Sequence, residues 1–240
     1  MERMSEADGP DGPGAMTEVF DAVYRGESPF GKRPPWEIGE PQPVYVALEE
    51  AGLIGGAVLD AGCGTGEDAL HLAGKGYAVT GLDLSPTAVS LARDKAAERG
   101  LDAVFDVADA LELTGYEGRF DTVIDVGLAH TFDAGRLRAY AAALHRACRP
   151  GALAHILSIS DRGAAEMQAR LAEAIAEIPA PLPDDASESP GLRRSADHLR
   201  DGFADGWTVE SITGTRIRGV VPPTAELLDV HAWLGRFRRI

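Results

Sequence analysis

A glycine-rich loop between an apolar strand and a helix constrains the fold of this chain more than any other feature. The sequence VLDAGCGTGEDALHLA places Gly62, Gly64 and Gly66 just after a short apolar run that contains Asp60. Glycines let the main chain turn tightly and let a ligand approach the backbone. The helix beyond them begins with free N–H groups. This pattern predicts a ligand site at the carboxyl end of a strand in an open α/β sheet.

The chain around this loop alternates apolar runs with helical patterns. Helical patterns separate the runs, and Ser85 followed by Pro86 is typical of a helix start. Strands that alternate with helices form right-handed βαβ units with parallel strands. Two more strands are predicted near the C-terminal end. We therefore predict an α/β, Rossmann-like, seven-stranded, mostly parallel sheet whose last strand is antiparallel. The first five predicted strands lie at 57–61, 78–84, 102–108, 120–126 and 152–160.

Three segments lie outside this alternation. Residues 1–14 are rich in Gly, Pro and acidic residues, and we predict a disordered tail there. A single domain is expected over 15–240, and it opens with an N-terminal helical arm at 15–50. After the fifth strand, a helix with an apolar stripe and a Pro-rich loop form a helical insertion at 163–190. An apolar stripe needs a partner, so the insertion is predicted to be a lid or a dimer contact.

Charge and composition disfavour several functions. The 240 residues include 38 Asp and Glu against 23 Lys and Arg, a formal net charge of -15. Such a surface repels phosphate backbones, so no nucleic-acid partner is expected. No apolar run approaches the roughly 20 residues that span a bilayer, and the acidic N-terminus is not a targeting signal. Two cysteines suit a reducing compartment. We expect a cytoplasmic monomer or homodimer with no membrane contact and no metal site.

Two kinds of ligand fit the glycine loop, and Asp60 favours one of them. Gly64, Gly66 and Ala69 satisfy the relaxed pattern of nicotinamide-binding proteins. Asp83, about 20 residues further on, can accept hydrogen bonds from both hydroxyls of a ribose. Asp60 would repel a pyrophosphate in a low-dielectric cleft, whereas it would attract an ammonium or sulfonium group. A ligand with ribose, adenine and an amino-acid ammonium is S-adenosylmethionine (SAM).

Four motifs together resemble those of the class I SAM-dependent methyltransferases. VLDAGCGTG, VTGLDLS, ADALEL and FDTVIDVG occur in the order and spacing of that family and cover most of 57–160. The resemblance implies that Asp83 holds the ribose and that Asp109 accepts a hydrogen bond from the adenine amine. The full set of implied cofactor contacts in the core is Asp60, Gly62, Gly64, Asp83, Leu84, Asp109, Ala110, Asp125 and Val126.

The segments before and after these four motifs resemble those of a narrower group of methyltransferases. PPWEIGEPQP is similar to the segment that precedes the core in thiopurine and halide/thiol methyltransferases and in related actinobacterial small-molecule enzymes. By that resemblance Trp36 lies over the cofactor, and an indole face attracts a sulfonium and excludes water. DVGLAHTFD, SISDR, FADGWTVES and HAWLGRF extend the likeness through nearly the whole chain. The insertion at 163–190 departs from this likeness, so the identity of the methyl acceptor is not inferred from the relatives.

The predicted function is transfer of the SAM methyl group to an O, N or S atom of a small molecule by in-line displacement. Such a reaction needs mainly proximity, alignment and a dry site. A hydroxyl acceptor also needs a base, and His130 is the best candidate because it follows the fourth strand, where the cleft opens. Three alternatives stay open: a non-methylating SAM enzyme such as a cyclase, a nicotinamide-dependent oxidoreductase, and a non-catalytic module that binds SAM.

Overall fold

The structure is a computed structural model that describes residues 13–27, 34–176, 194–222 and 224–240. Its helices are α1 (Pro13–Tyr24), α2 (Pro43–Glu50), α3 (Glu67–Gly74), α4 (Pro86–Arg99), α5 (Ala134–Ala147), α6 (Asp161–Ala176) and α7 (Ala196–Gly202). Its strands are β1 (Ala57–Ala61), β2 (Ala78–Asp83), β3 (Ala103–Val107), β4 (Phe120–Val126), β5 (Cys148–Ile159), β6 (Trp207–Val221) and β7 (Glu226–Arg239). A 3₁₀ turn, Ala129–Thr131, follows β4.

The strands form one seven-stranded sheet in the order β3-β2-β1-β4-β5-β7-β6. The pairs within the first five strands are parallel, and β7 is antiparallel to both β5 and β6. The predicted Rossmann-like sheet with an antiparallel last strand is therefore confirmed. The chain order reverses between β1 and β4, and ligands bind outside the carboxyl ends of the strands at such a switch point.

Apolar layers cover both faces of the sheet. Val58 and Leu59 are neighbours on β1, yet they belong to different hydrophobic clusters because successive strand residues point to opposite faces. Val58 packs in the layer of α2, α3 and α4, and Leu59 packs in the layer of α5 and α7. Burial on both faces explains why these strands read as continuous apolar runs in the sequence.

Some boundaries differ from the sequence predictions. Helix α1 begins at Pro13, so it starts inside the segment predicted as a tail at 1–14, and the rest of that segment lies outside the described residues. Strand β5 begins at Cys148 and not at residue 152, because its pairing with β4 starts at Cys148 and continues through an irregularity before Leu153.

Helix α6 supplies the described part of the predicted insertion at 163–190. The remainder of the insertion, beyond residue 176, lies outside the described residues. Within the described ranges, no helix is both long and apolar enough to cross a membrane.

Candidate active site

A cavity of about 290 Å³ lies over the carboxyl ends of β1, β2 and β4. Helix α1 and the segment 34–42 form one wall, and α6 and β6 contribute to another. Two of the eleven predicted site residues, Asp60 and Asp125, do not line it, because both side chains are buried beneath its floor. The nine predicted residues that do line it are Trp36, Gly62, Gly64, Asp83, Leu84, Asp109, Ala110, Val126 and His130.

The glycine loop approaches its surroundings too closely for side chains. Gly64 has a φ of 52°, and a Cβ added there would lie 2.7 Å from the hydroxyl oxygen of Tyr24. Gly66 has a φ of 85°, and a Cβ there would lie 2.8 Å from the ring of Phe105. Both conformations favour glycine. The loop is therefore a cradle of main chain, as the sequence predicted.

Asp83 joins the glycine loop to the start of α4. Its Oδ2 accepts a hydrogen bond from the Gly64 N–H at 2.8 Å, and its Oδ1 accepts one from the Ser85 N–H at 2.9 Å. Burial raises the pKa of Asp83, and these backbone N–H groups oppose that rise. Asp83 lines the cavity.

Asp60 is a buried acid that lacks a full set of partners. It is 2% exposed, and its Oδ2 has no hydrogen-bond partner. Burial, with the charges of Asp68 and Asp125, raises the pKa of Asp60 well above its usual value. A buried carboxylate oxygen without a donor is costly unless a cation or a donor approaches it.

Asp68 is a second acid in this region that the sequence analysis did not select. It lines the cavity in the first turn of α3, and its Oδ1 accepts a hydrogen bond from the Gln42 N–H at 2.8 Å. Burial raises the pKa of Asp68 to about 7, and the charges of Glu67 and Glu37 act in the same direction. Its position after the glycines, on a helix start, was the signal available in the sequence.

Asp125 shapes the loop after β4. Its Oδ1 accepts a hydrogen bond from the Leu128 N–H at 2.8 Å. Its Oδ2 accepts bonds from the Tyr140 hydroxyl at 2.9 Å and the Ala129 N–H at 3.1 Å. Burial raises the pKa of Asp125 to about 7. The side chain thus holds the 3₁₀ turn that carries His130, and it does not face the cavity.

His130 lies beside the end of β5. Its Nδ1 accepts a long hydrogen bond, 3.4 Å, from the Ile159 N–H. Burial, assisted by the charge of Arg194, lowers the pKa of His130 to about 3. The imidazole is therefore neutral at physiological pH.

An aromatic cluster on the arm lies over the glycine loop. The Nε1–H of Trp36 donates to the Tyr24 hydroxyl at 2.8 Å, and the rings of Phe20 and Tyr24 meet Trp36 edge-on at 6.2 and 6.3 Å. Trp36 is 41% exposed and lines the cavity. The spacing of Phe20 and Tyr24, four residues apart on a helix, was visible in the sequence, but their partner was not.

Charged groups attach the arm beside this cluster. Glu37 accepts a hydrogen bond from the Thr65 hydroxyl and lies 3.6 Å from Lys95 Nζ. Thr65 belongs to the glycine loop, so the residue after Trp36 is tied directly to that loop. The arm is thus held over the cavity by polar contacts on its rim.

A second part of the cavity lining is apolar. It consists of Phe132, Met167, Ile217 and Gly219, from the loop after β4, α6 and β6. Two arginines lie beside these residues: Arg218, between Ile217 and Gly219, also lines the cavity, and the guanidinium of Arg136 lies 5.5 Å from the centre of the Phe132 ring. Among the described residues, no cluster of side chains suited to a metal ion is found.

The fold and this cavity define an α/β protein with a ligand site at the carboxyl ends of its parallel strands. Comparisons with known proteins give the family. The protein-family model described as methyltransferase domain matches residues 58–151. The 2-heptyl-1-hydroxyquinolin-4(1H)-one methyltransferase of Mycobacteroides abscessus is 40% identical over 205 residues, which are 84% of this chain and 82% of that protein.

Two solved structures extend the comparison. One, from work on the conversion of a disulfide bond into a thioacetal group during echinomycin biosynthesis, is 83% identical with a TM-score of 0.87, covering 93% of this chain and 91% of that one. The other is magnesium protoporphyrin IX methyltransferase from Synechocystis PCC 6803 with bound S-adenosylhomocysteine (SAH). It is 20% identical with a TM-score of 0.58, covers 82% and 80% of the two chains, and shows the fold alone.

The chain belongs to the class I SAM-dependent methyltransferases. The predicted family, enzyme class and cofactor are thereby confirmed, and the nicotinamide alternative is set aside. The residues present fit SAM: the unpartnered Asp60 Oδ2 suits a cation, and the Gly64 cradle admits close backbone contact. When bound, SAM supplies an activated methyl group.

Proposed function

We propose that this enzyme methylates a sulfur atom of a small-molecule disulfide and converts that disulfide into a thioacetal. The observation that carries the proposal is the 83% identity, over nearly the whole chain, to the protein studied for a disulfide-to-thioacetal conversion. The part of the cavity lined by Phe132, Met167, Ile217 and Gly219, here called the acceptor end, supports the proposal. A disulfide is an uncharged, apolar group that suits such a wall. Methyl transfer to the sulfur itself needs no base, because a sulfur lone pair is already available.

The conversion balances without an added oxidant or reductant. One disulfide sulfur receives the methyl group through its lone pair and becomes positively charged. The carbon bonded to that sulfur then loses a proton, the S–S bond breaks, and the second sulfur bonds to the same carbon. The carbon is oxidised while the disulfide is reduced, so the product differs from the substrate by one added methyl and one lost proton.

His130 is the proton acceptor in this proposal. Its imidazole is neutral and lines the cavity, so a nitrogen lone pair can accept the proton. A pKa of about 3 makes the imidazole a weak base in the free protein, so the positive charge on the neighbouring sulfur must supply most of the driving force by making the C–H bond acidic. A group with so low a pKa passes the proton on to water and is then ready for another turnover. The long bond from Ile159 to Nδ1 leaves that nitrogen available at little cost.

The cofactor contacts are proposed as the family resemblance implies. Gly62 and Gly64 cradle the methionine and ribose portions, Asp83 accepts from the ribose hydroxyls, and Trp36 covers the sulfonium. Asp60 attracts the ammonium group from beneath the floor. The remaining proposed contacts are Leu84, Asp109, Ala110, Asp125 and Val126, of which Asp125 acts by holding the loop after β4.

Other parts of the prediction remain proposals. The acceptor is a small molecule and not a nucleic acid, which the formal net charge of -15 supports. We keep the single domain over 15–240, the insertion at 163–190 as a lid, the monomer or homodimer, and the cytoplasmic location. Met167 on α6 supports the lid, because it lines the acceptor end of the cavity.

The test uses a cyclic peptide closed by one cystine disulfide as the probe, incubated with SAM and the enzyme. We expect SAH and product in equal amounts, with a product that a thiol reductant does not cleave, because a thioacetal has no S–S bond. In His130→Ala we expect a methylated product that the reductant still cleaves. His71→Ala, a histidine on α3 outside the cavity, is the matched control. A wild-type product that the reductant cleaves would contradict the thioacetal step.

A second candidate is methylation of a hydroxyl group on an aromatic heterocycle. The 40% identity to the 2-heptyl-1-hydroxyquinolin-4(1H)-one methyltransferase favours it, and His130 would then deprotonate the hydroxyl. The same incubation with 2-heptyl-1-hydroxyquinolin-4(1H)-one separates the two candidates. Turnover of the quinolone and not of the disulfide peptide would favour this second function.

A further inference from the structure

We propose that Asp21 is a positioning residue: it fixes α1 against the first turn of α4 and so holds Tyr24 and Trp36 over the glycine loop. The inference rests on the proposed position of the cofactor beneath that aromatic cover. Asp21 is an acid on the arm that is 9% exposed, although the helix around it lies at the protein surface. A buried carboxylate at such a place needs specific partners.

The partners of Asp21 come from the start of α4. Its Oδ1 accepts hydrogen bonds from the Ser85 hydroxyl at 2.6 Å and from the Thr87 N–H at 2.9 Å. The N-terminus of a helix carries unpaired N–H groups and partial positive charge, so it favours a carboxylate. On its other side, Asp21 Oδ2 accepts from Arg25 at 2.5 Å, one turn further along α1. The carboxylate thus links the arm helix to the core.

The contact between Asp21 and Ser85 lies beside the proposed ribose site, because Ser85 is two residues after Asp83. Ser85 donates its hydroxyl to Asp21 and its N–H to Asp83 Oδ1. Asp83 Oδ2 in turn accepts from Gly64 of the glycine loop. Ser85 therefore joins the arm to the carboxylate that is proposed to hold the cofactor ribose, and any shift of α1 is felt at both places.

The helix geometry transmits the contact to the aromatic cover. Asp21 and Tyr24 are three residues apart on α1, so their side chains leave the same face of the helix. With Asp21 docked on α4, the Tyr24 hydroxyl reaches the glycine loop and accepts the hydrogen bond from Trp36. Without that contact, Glu37 still ties the segment after Trp36 to the glycine loop, but α1 loses its hydrogen bonds to α4 and Tyr24 loses a fixed position over the loop.

The charge state of Asp21 does not change near neutral pH. The hydrogen bond from Ser85 is the main reason that the pKa of Asp21 is lowered to about 2, and those from Thr87 and Arg25 add to it. The carboxylate is ionised throughout the range in which the enzyme would be assayed. We therefore expect a constant positioning role and not a pH switch.

The test compares Asp21→Ala, Asp21→Asn and Glu18→Gln, at a temperature well below the melting point of each. Glu18 is the matched control because it pairs with the same Arg25 but is exposed on the outside of α1. We expect Asp21→Ala to weaken SAH binding at least fivefold through faster dissociation. Asp21→Asn keeps an oxygen for Ser85 and Thr87 and should lie within about twofold of wild type. Glu18→Gln should not differ from wild type.

Two further measurements separate this role from general destabilisation. Backbone hydrogen exchange of α1 in the protein without SAH should be faster in Asp21→Ala, while exchange of α2 stays unchanged. In a Ser85→Ala background, Asp21→Ala should lose less SAH affinity than it does in wild type, because the shared bond is already absent. Unchanged exchange in α1, or unchanged SAH binding by Asp21→Ala, would overturn the proposal.

A different result would refute the proposed cofactor site. Wild-type protein that binds SAH with the same affinity as Asp83→Ala would refute the ribose assignment. Hydrogen exchange in α1 would still report whether Asp21 docks the arm.

Discussion

The two ends of the cavity are built from different kinds of structure. At the proposed cofactor end, the floor of main chain and carboxylates comes from consecutive elements, β1 to the start of α4, and the aromatic residues of the arm cover it. The acceptor end consists of side chains from the loop after β4, from α6 and from β6, which are far apart in sequence. The first is therefore specified by local motifs, whereas the second exists only when the sheet has assembled.

The largest effect should come from replacing Gly64 of the glycine loop by alanine. Gly64→Ala forces a side chain into a left-handed backbone position and within 2.7 Å of the Tyr24 hydroxyl. The free variant relieves this clash by moving the loop, and binding must then restore the loop geometry. A cost of about 2 kcal/mol for that restoration corresponds to roughly a 30-fold loss of affinity, so we expect SAH binding by calorimetry to weaken by at least that factor.

Gly76→Ala is the control for that change. Gly76 has a φ of 90°, but no atom lies within 4 Å of an added Cβ. It should lower the melting temperature without changing SAH affinity. Equal losses of SAH affinity in the two variants would mean that backbone strain alone, and not the close approach at the site, is responsible.

A smaller effect is expected at the acceptor end. Met167→Ala removes part of the apolar wall that α6 contributes. We expect the KM for the acceptor to rise about three- to tenfold, in line with about 1 kcal/mol of lost contact, while the Kd for SAH stays within twofold. Glu173→Ala on the same helix, paired with Arg170 at the surface, is the control. Parallel changes in both constants would show that the two ends are not independent.

The remaining prediction concerns Asp68 and the pH dependence of stability. Its pKa is about 7 in the folded protein and near 3.8 in the unfolded chain. Between these values the folded state holds a proton that the unfolded state lacks, so stability is highest at low pH and falls as pH rises towards 7. The raised pKa values of Asp60 and Asp125 act with the same sign.

Asp68→Asn removes the carboxyl group that binds one of these protons. The free energy of unfolding from urea titrations between pH 5 and 8 should therefore fall less steeply with pH, by at most about 1.4 kcal/mol per pH unit. SAH should reduce the slope in the wild type if its ammonium stabilises the ionised acids. A slope that is unchanged in the variant would place the titration elsewhere.

The sequence was informative where function depends on backbone geometry. The three glycines after β1 and the acid at the end of β2 predicted the cradle and its ribose partner, because tight turns and strand ends leave local signatures. Trp36 was selected from a motif, and the structure brings it to the same cavity. The distinction between the buried Asp60 and the cavity-lining Asp83 was less visible, since both acids lie near strand ends: Asp60 is the penultimate residue of β1 and Asp83 is the last residue of β2.

The sequence by itself determined the seven-stranded sheet and the glycine loop, because these follow from the alternation of apolar runs and from residues with special backbone freedom. Only the tertiary structure decided that Asp60 and Asp125 lie beneath the floor, that Ile159 binds the imidazole of His130, and that Asp21 docks the arm on α4. The physical reason is that burial and hydrogen-bond partners depend on contacts between distant residues, as in the 64-residue separation of Asp21 and Ser85.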